Sequence, residues 1–232
     1  MISIVIPVLN EEANLKELLP LLLDRAHDVS QLQIVVVDGG SEDNGYAFAK
    51  AFKQQHNNLI TLQPGRGRAL QLNAGSRAAT GSILYHLHAD TRPPQDYDKY
   101  IREAVEKGKA AGSFRLRFDY AHWWLWLASF LTRINHKAAR GGDQSLWMRS
   151  NVFDDLNGYS EEYGVCEDVD LINRIYDSYG FTVLPHQVVT SARLYRRHGV
   201  FKLQYHFYMI YILKKLGRSP QHIHKYYKQH IA

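Results

Sequence analysis

The chain has 232 residues, of which 45% are apolar and 22% are charged, and its formal net charge is +5. This composition excludes an intrinsically disordered chain, and the sequence shows no period or repeat typical of a collagen, a coiled coil or a repeat protein. The single cysteine, Cys166, excludes a disulfide framework and a cysteine-based zinc site.

The N-terminal segment contains the first predicted element. Residues Ile2–Val8 form a β-branched apolar run, which predicts a strand that is buried on both faces. The segment has no basic residues and is too short for a signal peptide, and no apolar run reaches the roughly 18–20 residues that span a bilayer. We therefore expect a cytoplasmic protein.

Strand and helix patterns alternate through the first half of the chain. Predicted strands cover Ile2–Val8, Gln33–Val37, Leu59–Leu62 and Ile83–Leu87. Predicted helices cover Glu11–His27, a segment capped by Ser41, and a segment from Gly65 to about Ala79. This alternation predicts an α/β fold with a parallel sheet and right-handed crossovers.

The second half of the chain is less regular. Predicted strands cover Gly112–Phe118, Ser145–Met148, Thr182–Leu184 and Val188–Thr190. Predicted helices cover Tyr120–Lys137, Glu167–Tyr179, Val200–Leu216 and a last segment that begins at Pro220. We expect residues 1–195 to form the main domain and residues 196–232 to form a basic, aromatic helical extension packed on it.

The extension carries an unusual charge distribution. No Asp or Glu follows Asp177, whereas nine Lys or Arg residues lie between Arg193 and Lys228. Such a basic block favours a phosphate-bearing substrate, an anionic membrane surface or a nucleic acid, although it is also compatible with a solvated face without a partner.

Polar side chains follow three of the predicted strands. These groups are Asn10-Glu11-Glu12, Asp38-Gly39 and His88-Ala89-Asp90. Because ligands of open parallel sheets bind at the carboxyl ends of the strands, we expect these groups to converge on one site. Taken singly, each group could merely cap the helix that follows it.

Two further motifs suit a phosphate-bearing ligand. Gly65-Arg66-Gly67-Arg68 precedes a helix, so it combines close backbone approach with arginines that can contact phosphate. Asp90 can ligate Mg²⁺ or Mn²⁺, which proteins usually bind through one or two carboxylates and substrate phosphates. Glu167-Asp168 is a second acidic pair, which begins a helix and could therefore also serve only to stabilise it.

Together these motifs predict transfer of a group from a nucleoside diphosphate donor. A cation and arginines would neutralise the departing diphosphate, and a carboxylate would deprotonate the acceptor. The alternatives are a nucleotidyltransferase with a similar sheet, and a non-catalytic basic protein that binds nucleic acid or membrane. No nucleic-acid recognition motif is present, so a nucleic-acid partner is the less favoured alternative.

Several blocks resemble the family 2 glycosyltransferases of GT-A fold over roughly residues 1–195. The blocks are Ile4–Glu12, Val36–Ser41, Gly75–Asp90, Gly141–Gln144 and Glu167-Asp168. Within that family, Gly-Arg-Gly-Arg-Ala-Leu-Gln-Leu-Asn-Ala-Gly, His-Ala-Asp-Thr and Gly-Asp-Gln resemble the radical-SAM/selenodomain-associated, or arsenosugar-type, transferases. The implied fold is a mostly parallel Rossmann-like sheet flanked by helices.

The resemblance also implies roles for individual residues. Asp168 is expected to be the general base of an inverting displacement, with Glu167 beside it, and Asp90 to hold Mn²⁺ or Mg²⁺. Expected nucleotide-sugar contacts are Pro7, Asn10, Glu12, Asp38, Gly39, Arg68, His88, Asp143 and Gln144. His88 stands where many relatives have an Asp, so the chain departs from the usual metal motif there.

The implied activity is transfer of a single sugar to an alcohol or a lipid-phosphate acceptor. The Q-x-x-R-W motif of processive synthases is missing, and Ser191-Ala192-Arg193-Leu194-Tyr195 stands near its place, which favours a single transfer. The tryptophans at 123, 124 and 126 and the aromatics of 201–211 could form a peripheral contact with the inner face of the membrane. They could equally pack in a core or line an acceptor pocket.

Overall fold

A computed structural model describes residues 1–231, which form one eight-stranded mixed sheet with helices on both faces. The strands are β1 (Ile2–Val8), β2 (Leu32–Asp38), β3 (Leu59–Leu62), β4 (Ile83–His86), β5 (Thr91–Arg92), β6 (Ala111–Phe118), β7 (Leu146–Arg149) and β8 (Thr182–Thr190). The α-helices are α1 (Glu12–Asp24), α2 (Gly45–Gln55), α3 (Arg68–Ala78), α4 (Tyr97–Glu106), α5 (Trp123–Leu131), α6 (Ser150–Asp155), α7 (Glu167–Ser178), α8 (Arg193–His198), α9 (Val200–Lys215) and α10 (Pro220–His230).

The sheet has the strand order β3-β2-β1-β4-β7-β6-β8-β5. The first four strands in this order are parallel, which confirms the parallel half predicted from the alternating pattern. Strand β7 then runs antiparallel to both β4 and β6, and β5 runs antiparallel to β8. The carboxyl ends of β1 and β2 are level, since Val8 pairs with Asp38.

Two hydrophobic layers cover the two faces of the sheet. On one face, the four leucines Leu15, Leu18, Leu19 and Leu22 of α1 are fully buried against apolar strand residues such as Ile4 and Ile34. On the other face, α3 and α7 pack against the alternate residues, including Val5 and Val35. Because both faces are covered, β1 and β2 need the continuous apolar runs by which they were predicted.

Helix α3 lies directly on β1 and β2 at Gly75. A Cβ atom at this position would come within 2.4 Å of a methyl carbon of Val5 and 2.8 Å of one of Val37. Only glycine permits this close approach, which sets α3 and the loop before it at the carboxyl ends of the strands.

Several predicted elements differ in the structure. Ser41 does not cap α2, which begins at Gly45 after Asn44; its hydroxyl instead donates to Asp38. The helix predicted over Tyr120–Lys137 is limited to α5, because Thr132 turns its hydroxyl back onto the carbonyl of Ser129 and a separate 3₁₀ turn follows at Lys137–Ala139.

The strands predicted at Thr182–Leu184 and Val188–Thr190 are one strand, β8. Its pairing with β6 shifts register where Phe114 pairs with Leu184 and Arg115 with Gln187. Pro185 and His186 therefore form a bulge, which breaks the sequence pattern without ending the strand. Strand β5 and helices α4, α6 and α8 were not predicted.

The C-terminal helices α8–α10 pack against one another and against the main body. Their small core consists of Leu203, Ile210, Ile223 and Ile231, and it contacts Val165 and Cys166 before α7. The division into a domain of residues 1–195 and an extension of residues 196–232 stays a prediction.

Within residues 1–231, we find no helix with the length and apolar character required to span a membrane.

Candidate active site

A cavity of about 870 Å³ opens at the carboxyl ends of β1 and β4. Its walls come from the loops after these strands, from the start of α3, from the turn before β7 and from α8–α10. Five predicted site residues line it: Pro7, Arg68, His88, Asp90 and Asp143. Side chains far apart in sequence thus meet where a parallel sheet presents its ligand site.

The loops after β1 and β2 hold the other predicted nucleotide contacts in a hydrogen-bond network. Asp38 is fully buried and accepts hydrogen bonds from the Gly40 amide at 3.0 Å and from Gln63 Nε2 at 2.8 Å, and also from Ser41. Burial by itself would raise the pKa of Asp38, but these hydrogen bonds outweigh it and lower the pKa below its usual range. Asp38 is therefore ionised, and its carboxylate holds the loop after β2 in place.

Asn10 and Glu12 join the same two loops. Asn10 has a left-handed backbone (φ 55°), and its side-chain oxygen accepts from the Glu42 amide at 2.8 Å. Glu12 accepts from the Asn44 amide at 3.2 Å and from Lys16 Nζ at 2.7 Å. Both side chains hold the loops together beside the cavity rather than forming its wall.

Gln71 of α3 is a positioning residue that the sequence did not reveal. Its buried amide donates to the carbonyls of Val8 at 2.8 Å and Val37 at 2.7 Å, which lie at the ends of β1 and β2. A Cβ atom on Gly39 would lie only 3.1 Å from this amide, which explains why glycine follows Asp38. Gln71 lies within the motif of residues 65–75, but the sequence did not assign it a role, because its partners are backbone atoms of distant strands.

The start of α3 brings a guanidinium beside the acidic pair. Arg68 Nη1 lies 3.4 Å from Glu167 Oε1, and the Glu167 side chain is only 1% exposed. Burial raises the pKa of Glu167, Arg68 opposes this effect, and the neighbouring Asp168 adds to it. Arg66 lines the cavity next to Arg68, so both arginines of the predicted phosphate loop face this space.

Asp168 is fixed against the turn that precedes β7. Its Oδ2 accepts a hydrogen bond from the backbone amide of Gly142. A Cβ atom on Gly142 would lie 2.7 Å from Asp168 Oδ2 and 3.2 Å from His88 Cε1. Asp168 therefore adjoins the cavity residue His88, although the two lie on separate elements.

Asp143 and Gln144 belong to the same turn but lie in different environments, one at the cavity and the other in the interior. Asp143 Oδ1 lies 3.6 Å from His88 Nδ1 and faces the cavity. Gln144 is buried, where it donates to the Ala139 carbonyl at 2.7 Å and accepts from Arg140. Gln144 thus stabilises the turn from behind.

Asp90 lies among charged groups that line the cavity. Its side chain is 21% exposed, and Arg193 Nη2 is 3.8 Å from its Oδ2. Burial raises the pKa of Asp90, and Asp143 and Glu11 act in the same direction, whereas His88 and Arg193 oppose them. The surroundings therefore concentrate negative charge that a cation would stabilise.

These surroundings fit the predicted divalent cation. Asp90 offers a carboxylate and His88 an imidazole, a donor pair that Mn²⁺ accepts. In the described part of the chain, no three His, Cys, Asp or Glu side chains are grouped so as to hold a metal ion by themselves. The fit is thus to a cation whose remaining ligands are phosphates and water, as is usual for Mg²⁺ at nucleotide sites.

Glu11 and Arg193 line the cavity, although the sequence analysis assigned neither of them an individual role. Arg193 Nη2 lies 2.6 Å from Glu11 Oε1, and Nη1 lies 3.2 Å from Oε2. The two residues are 182 positions apart in the chain. Glu11 precedes Glu12, and only the observed start of α1 shows which of the two faces the cavity.

The extension forms the aromatic wall of the cavity. Tyr195 of α8, Phe207 of α9 and Tyr227 of α10 line it together with Phe118 at the end of β6. The Tyr195 ring packs edge-on against Phe118 at 5.3 Å and against Phe207 at 6.2 Å between centroids. The cavity thus has a charged side at the strand ends and an aromatic side at the extension.

Comparison with known proteins agrees with this arrangement. The sequence pattern described as Glycosyl transferase family 2 matches residues 3–158, more than half of the chain. The chain is 31% identical over 98 residues to glycosyltransferase AglE of Haloferax volcanii, which covers 41% of this chain and 32% of that protein.

A second relative is the undecaprenyl-phosphate 4-deoxy-4-formamido-L-arabinose transferase of Pseudomonas aeruginosa. Identity is 30% over 136 residues, which covers 54% of this chain and 39% of that protein. The chain therefore spans less than half the length of these curated relatives.

Solved structures share the fold. The mannosyltransferase PcManGT of Pyrobaculum calidifontis, in complex with GDP-Man and Mn²⁺, has a TM-score of 0.69 at 20% identity, over 90% of this chain and 59% of that one. TarS 1–349 of S. aureus in complex with UDP has a TM-score of 0.65 at 16% identity, over 82% of this chain and 60% of that one. The fold is thus the GT-A fold. Since the family pattern runs from β1 to beyond α6, the chain belongs to glycosyl transferase family 2.

Proposed function

We propose that this chain is a glycosyltransferase of the hexosyltransferase type that moves one sugar from a nucleotide-sugar donor to an acceptor. The observation that carries the proposal is the single cavity in which Asp90, Arg68 and His88 meet, with Asp168 adjoining them. Family membership and the relatives named as sugar transferases support the same activity.

The donor diphosphate binds between the start of α3 and Asp90. Arg66 and Arg68 provide positive charge, and the N-terminus of α3 adds the favourable end of its dipole. Asp90 would hold Mn²⁺ or Mg²⁺ with His88 beside it, and the bound cation would neutralise charge on the departing diphosphate. Pro7 lines the donor side, while the Asp38 network fixes the loops beside it.

Asp168 accepts the proton of the acceptor hydroxyl as that oxygen attacks the sugar. The Gly142 amide orients the carboxylate, and Glu167 remains paired with Arg68. The acceptor oxygen attacks the sugar from the side opposite the diphosphate, so the bond to the diphosphate breaks and the configuration of the anomeric carbon is inverted. The segment around Arg193 lacks the Q-x-x-R-W motif of processive synthases, which supports a single transfer rather than polymer synthesis.

The acceptor occupies the aromatic side of the cavity. Phe118, Tyr195 and Phe207 suit an apolar body, and the Pseudomonas relative is named for an undecaprenyl-phosphate acceptor. We therefore infer a lipid-phosphate or alcohol acceptor, delivered at the inner face of the cell membrane by peripheral contact. The blocks Gly65–Gly75, His88–Thr91 and Gly142–Gln144 support placement in the radical-SAM/selenodomain-associated, arsenosugar-type subgroup.

A thermal-shift panel of nucleoside diphosphates and their sugars, with and without Mn²⁺, tests the donor proposal. A ligand at about 100 times its dissociation constant stabilises the native state by about 2.7 kcal/mol, which raises the melting temperature by several degrees. Asp90→Asn should abolish the Mn²⁺-dependent part of the shift and leave the melting temperature of the free protein nearly unchanged.

Glu162→Gln provides the matched control, since it removes the same charge from an exposed side chain outside the cavity. If no nucleotide sugar shifts the wild type, or if Asp90→Asn retains the full Mn²⁺ effect, the proposed donor site is wrong. Release of inorganic diphosphate from a nucleoside triphosphate would instead favour a nucleotidyltransferase.

A further inference from the structure

Arg193 connects the C-terminal extension to two acidic residues at the strand ends. It is the first residue of α8, and its guanidinium makes a two-point contact with Glu11 at 2.6 and 3.2 Å. The same guanidinium reaches Asp90 Oδ2 at 3.8 Å. Glu11 and Asp90 follow β1 and β4, which are neighbours in the sheet, so Arg193 bridges them from the opposite wall.

The charges explain why a guanidinium lies there. The side chains of Glu11 and Asp90 are 16% and 21% exposed, so the two carboxylates are poorly hydrated and close to each other. A positive group between them offsets their repulsion. A divalent cation bound to Asp90 would also offset this repulsion, and its positive charge would repel the guanidinium.

The Arg193 side chain is suited to leave this position. It is 53% exposed and makes its shorter contacts with Glu11, whereas its approach to Asp90 is the longest of the three. The side chain lines the same cavity as Arg66 and Arg68. A guanidinium displaced from Asp90 therefore remains within the space that a diphosphate would enter, and it offers a two-point contact to phosphate oxygens.

We propose that Arg193 competes with a divalent cation for Asp90, and that the guanidinium, once displaced from Asp90, contacts the donor diphosphate. This inference rests on the proposed function, because it takes Asp90 as the cation ligand. It predicts that the cation and the nucleotide bind cooperatively, since the cation frees a guanidinium that the nucleotide uses.

Titration of the purified chain with Mn²⁺ alone, followed by calorimetry or by the electron spin resonance signal of free Mn²⁺, tests the exchange directly. Arg193→Gln should bind Mn²⁺ about 5- to 150-fold more tightly than the wild type, the usual range of coupling between two sites. A second titration, with UDP or GDP at saturating Mn²⁺, measures the nucleotide affinity. This affinity should be lower in Arg193→Gln than in the wild type.

Arg196→Gln is the matched control. Arg196 belongs to the same helix and pairs with Asp119 at 2.8 Å, and it does not line the cavity. This variant removes the same charge from the same region, so it should leave the Mn²⁺ affinity near that of the wild type. Arg193→Met, which keeps the apolar part of the side chain, repeats the measurement if the glutamine variant is unstable.

The outcomes separate this inference from the proposed function. Equal Mn²⁺ affinity in the wild type and Arg193→Gln would overturn the exchange, as would an equal gain in Arg196→Gln, which indicates only a long-range charge effect. Tighter Mn²⁺ binding by Arg193→Gln alone supports the exchange, even if neither UDP nor GDP binds. In that last case the donor proposal and the contact of Arg193 with a diphosphate both fail, while the competition between Arg193 and the cation stands.

Discussion

Asp168 is the residue on which the proposed chemistry depends most directly. General-base assistance is typically worth about 10²–10⁴-fold, and Asn has nearly the same size as Asp but cannot accept the proton. Asp168→Asn should therefore lower kcat for transfer to an alcohol by about this factor, with little change in nucleotide affinity. The measurement is steady-state transfer from the nucleotide sugar that stabilises the protein.

Glu167→Gln is the comparison for that experiment. Its carboxylate is buried against Arg68, so this variant should disturb local stability more than chemistry. Turnover of Asp168→Asn within about threefold of the wild type would remove the base assignment. It would favour an acceptor phosphate, which is already an anion at neutral pH and needs no base.

A second prediction for a single residue concerns Gly142. Its amide holds Asp168, and there is no room for a side chain, because a Cβ atom would lie 2.7 Å from the carboxylate. Gly142→Ala should displace Asp168 and His88 by a fraction of an ångström to about 1 Å. Such a displacement can reduce kcat/KM by about 10²-fold.

The neighbouring glycine is a close control for this variant. A Cβ atom on Gly141 would meet nothing nearer than Asp168 Oδ2 at 4.0 Å, and its φ of −165° is accessible to any residue. Gly141→Ala should retain kcat/KM within about threefold of the wild type. A comparable loss in both variants would show that the turn is merely intolerant of substitution.

At the scale of elements, His86 joins β4, α3 and the loop after α6. Its ring nitrogens contact the Ser76 hydroxyl at 2.8 Å and the Tyr159 hydroxyl at 2.7 Å. Burial, with a smaller contribution from His88, lowers the pKa of His86 to about 3. The neutral ring is thus built into the contact between the sheet and α3.

The pH dependence of unfolding follows from this pKa. Because the folded value lies below the unfolded value of about 6.5, the unfolded chain takes up a proton first as the pH falls. The contribution of His86 to stability is complete above pH 6.5 and declines below it, by about 2 kcal/mol between pH 8 and pH 5.

Urea unfolding of the wild type and of His86→Gln at both pH values measures this contribution. We expect the loss of stability between pH 8 and pH 5 to be about 2 kcal/mol smaller in the variant, while His222→Gln, at an exposed site, should behave as the wild type. Parallel pH profiles for all three proteins would count against a buried neutral His86.

Local sequence patterns predicted the helices and strands in which apolar residues recur at one regular spacing from end to end. Strands β1 to β4 and helices α1 and α7 have apolar residues at the spacing of their structure, so their existence follows from the sequence. The bulge at Pro185-His186 and the two-residue β5 have no such period, because pairing with β6 and β8 creates them. The site loops are similar, since the Asn10 amide reaches the Ser41 hydroxyl only when β1 and β2 lie side by side.

At the scale of the whole molecule, α5 and α9 expose an aromatic patch that consists of Trp123, Trp126, Phe130, Phe201, Tyr205 and Tyr208. Trp123 and Phe201 join the two helices with ring centroids 5.9 Å apart. Trp123 and Trp126 are 63% and 67% exposed. Basic residues such as Arg133 and Lys202 flank the patch, and this combination is typical of a surface that lies on an anionic membrane.

Sedimentation with vesicles of phosphatidylcholine and phosphatidylglycerol tests the patch. The wild type should bind at low salt and dissociate as salt rises, because each basic residue near the surface contributes about 1 kcal/mol. Replacing Trp123 and Phe201 together by Ser should weaken binding by about tenfold or more, as each loses about 1.5–3 kcal/mol of apolar burial.

Tyr179→Ser is the control, since Tyr179 is an exposed aromatic residue on another part of the molecule. It should leave vesicle binding unchanged. Failure of the wild type to sediment at low salt would remove the membrane from the proposed function and would leave the transfer reaction untouched.

From the sequence alone follow the α/β class, the parallel half of the sheet and the strand ends at which the site lies. These properties depend on local hydrophobic periods and on short motifs such as His88-Ala89-Asp90. Arg68, His88 and Asp90 could be selected in this way, because each lies at the end of a strand or at the start of a helix within a short motif. Pro7 and Asp143 were selected only through the resemblance to family 2 glycosyltransferases.

Only the tertiary structure decided which side chains meet. Glu11 and Arg193 are 182 residues apart, and Gln71 supports β1 and β2 through backbone carbonyls that leave no mark in the sequence. The aromatic wall contributed by Tyr195, Phe207 and Tyr227 likewise arises from the packing of α8–α10 over the cavity. The physical reason is that these contacts depend on distances between elements, whereas the patterns in the chain report only the environment of each element separately.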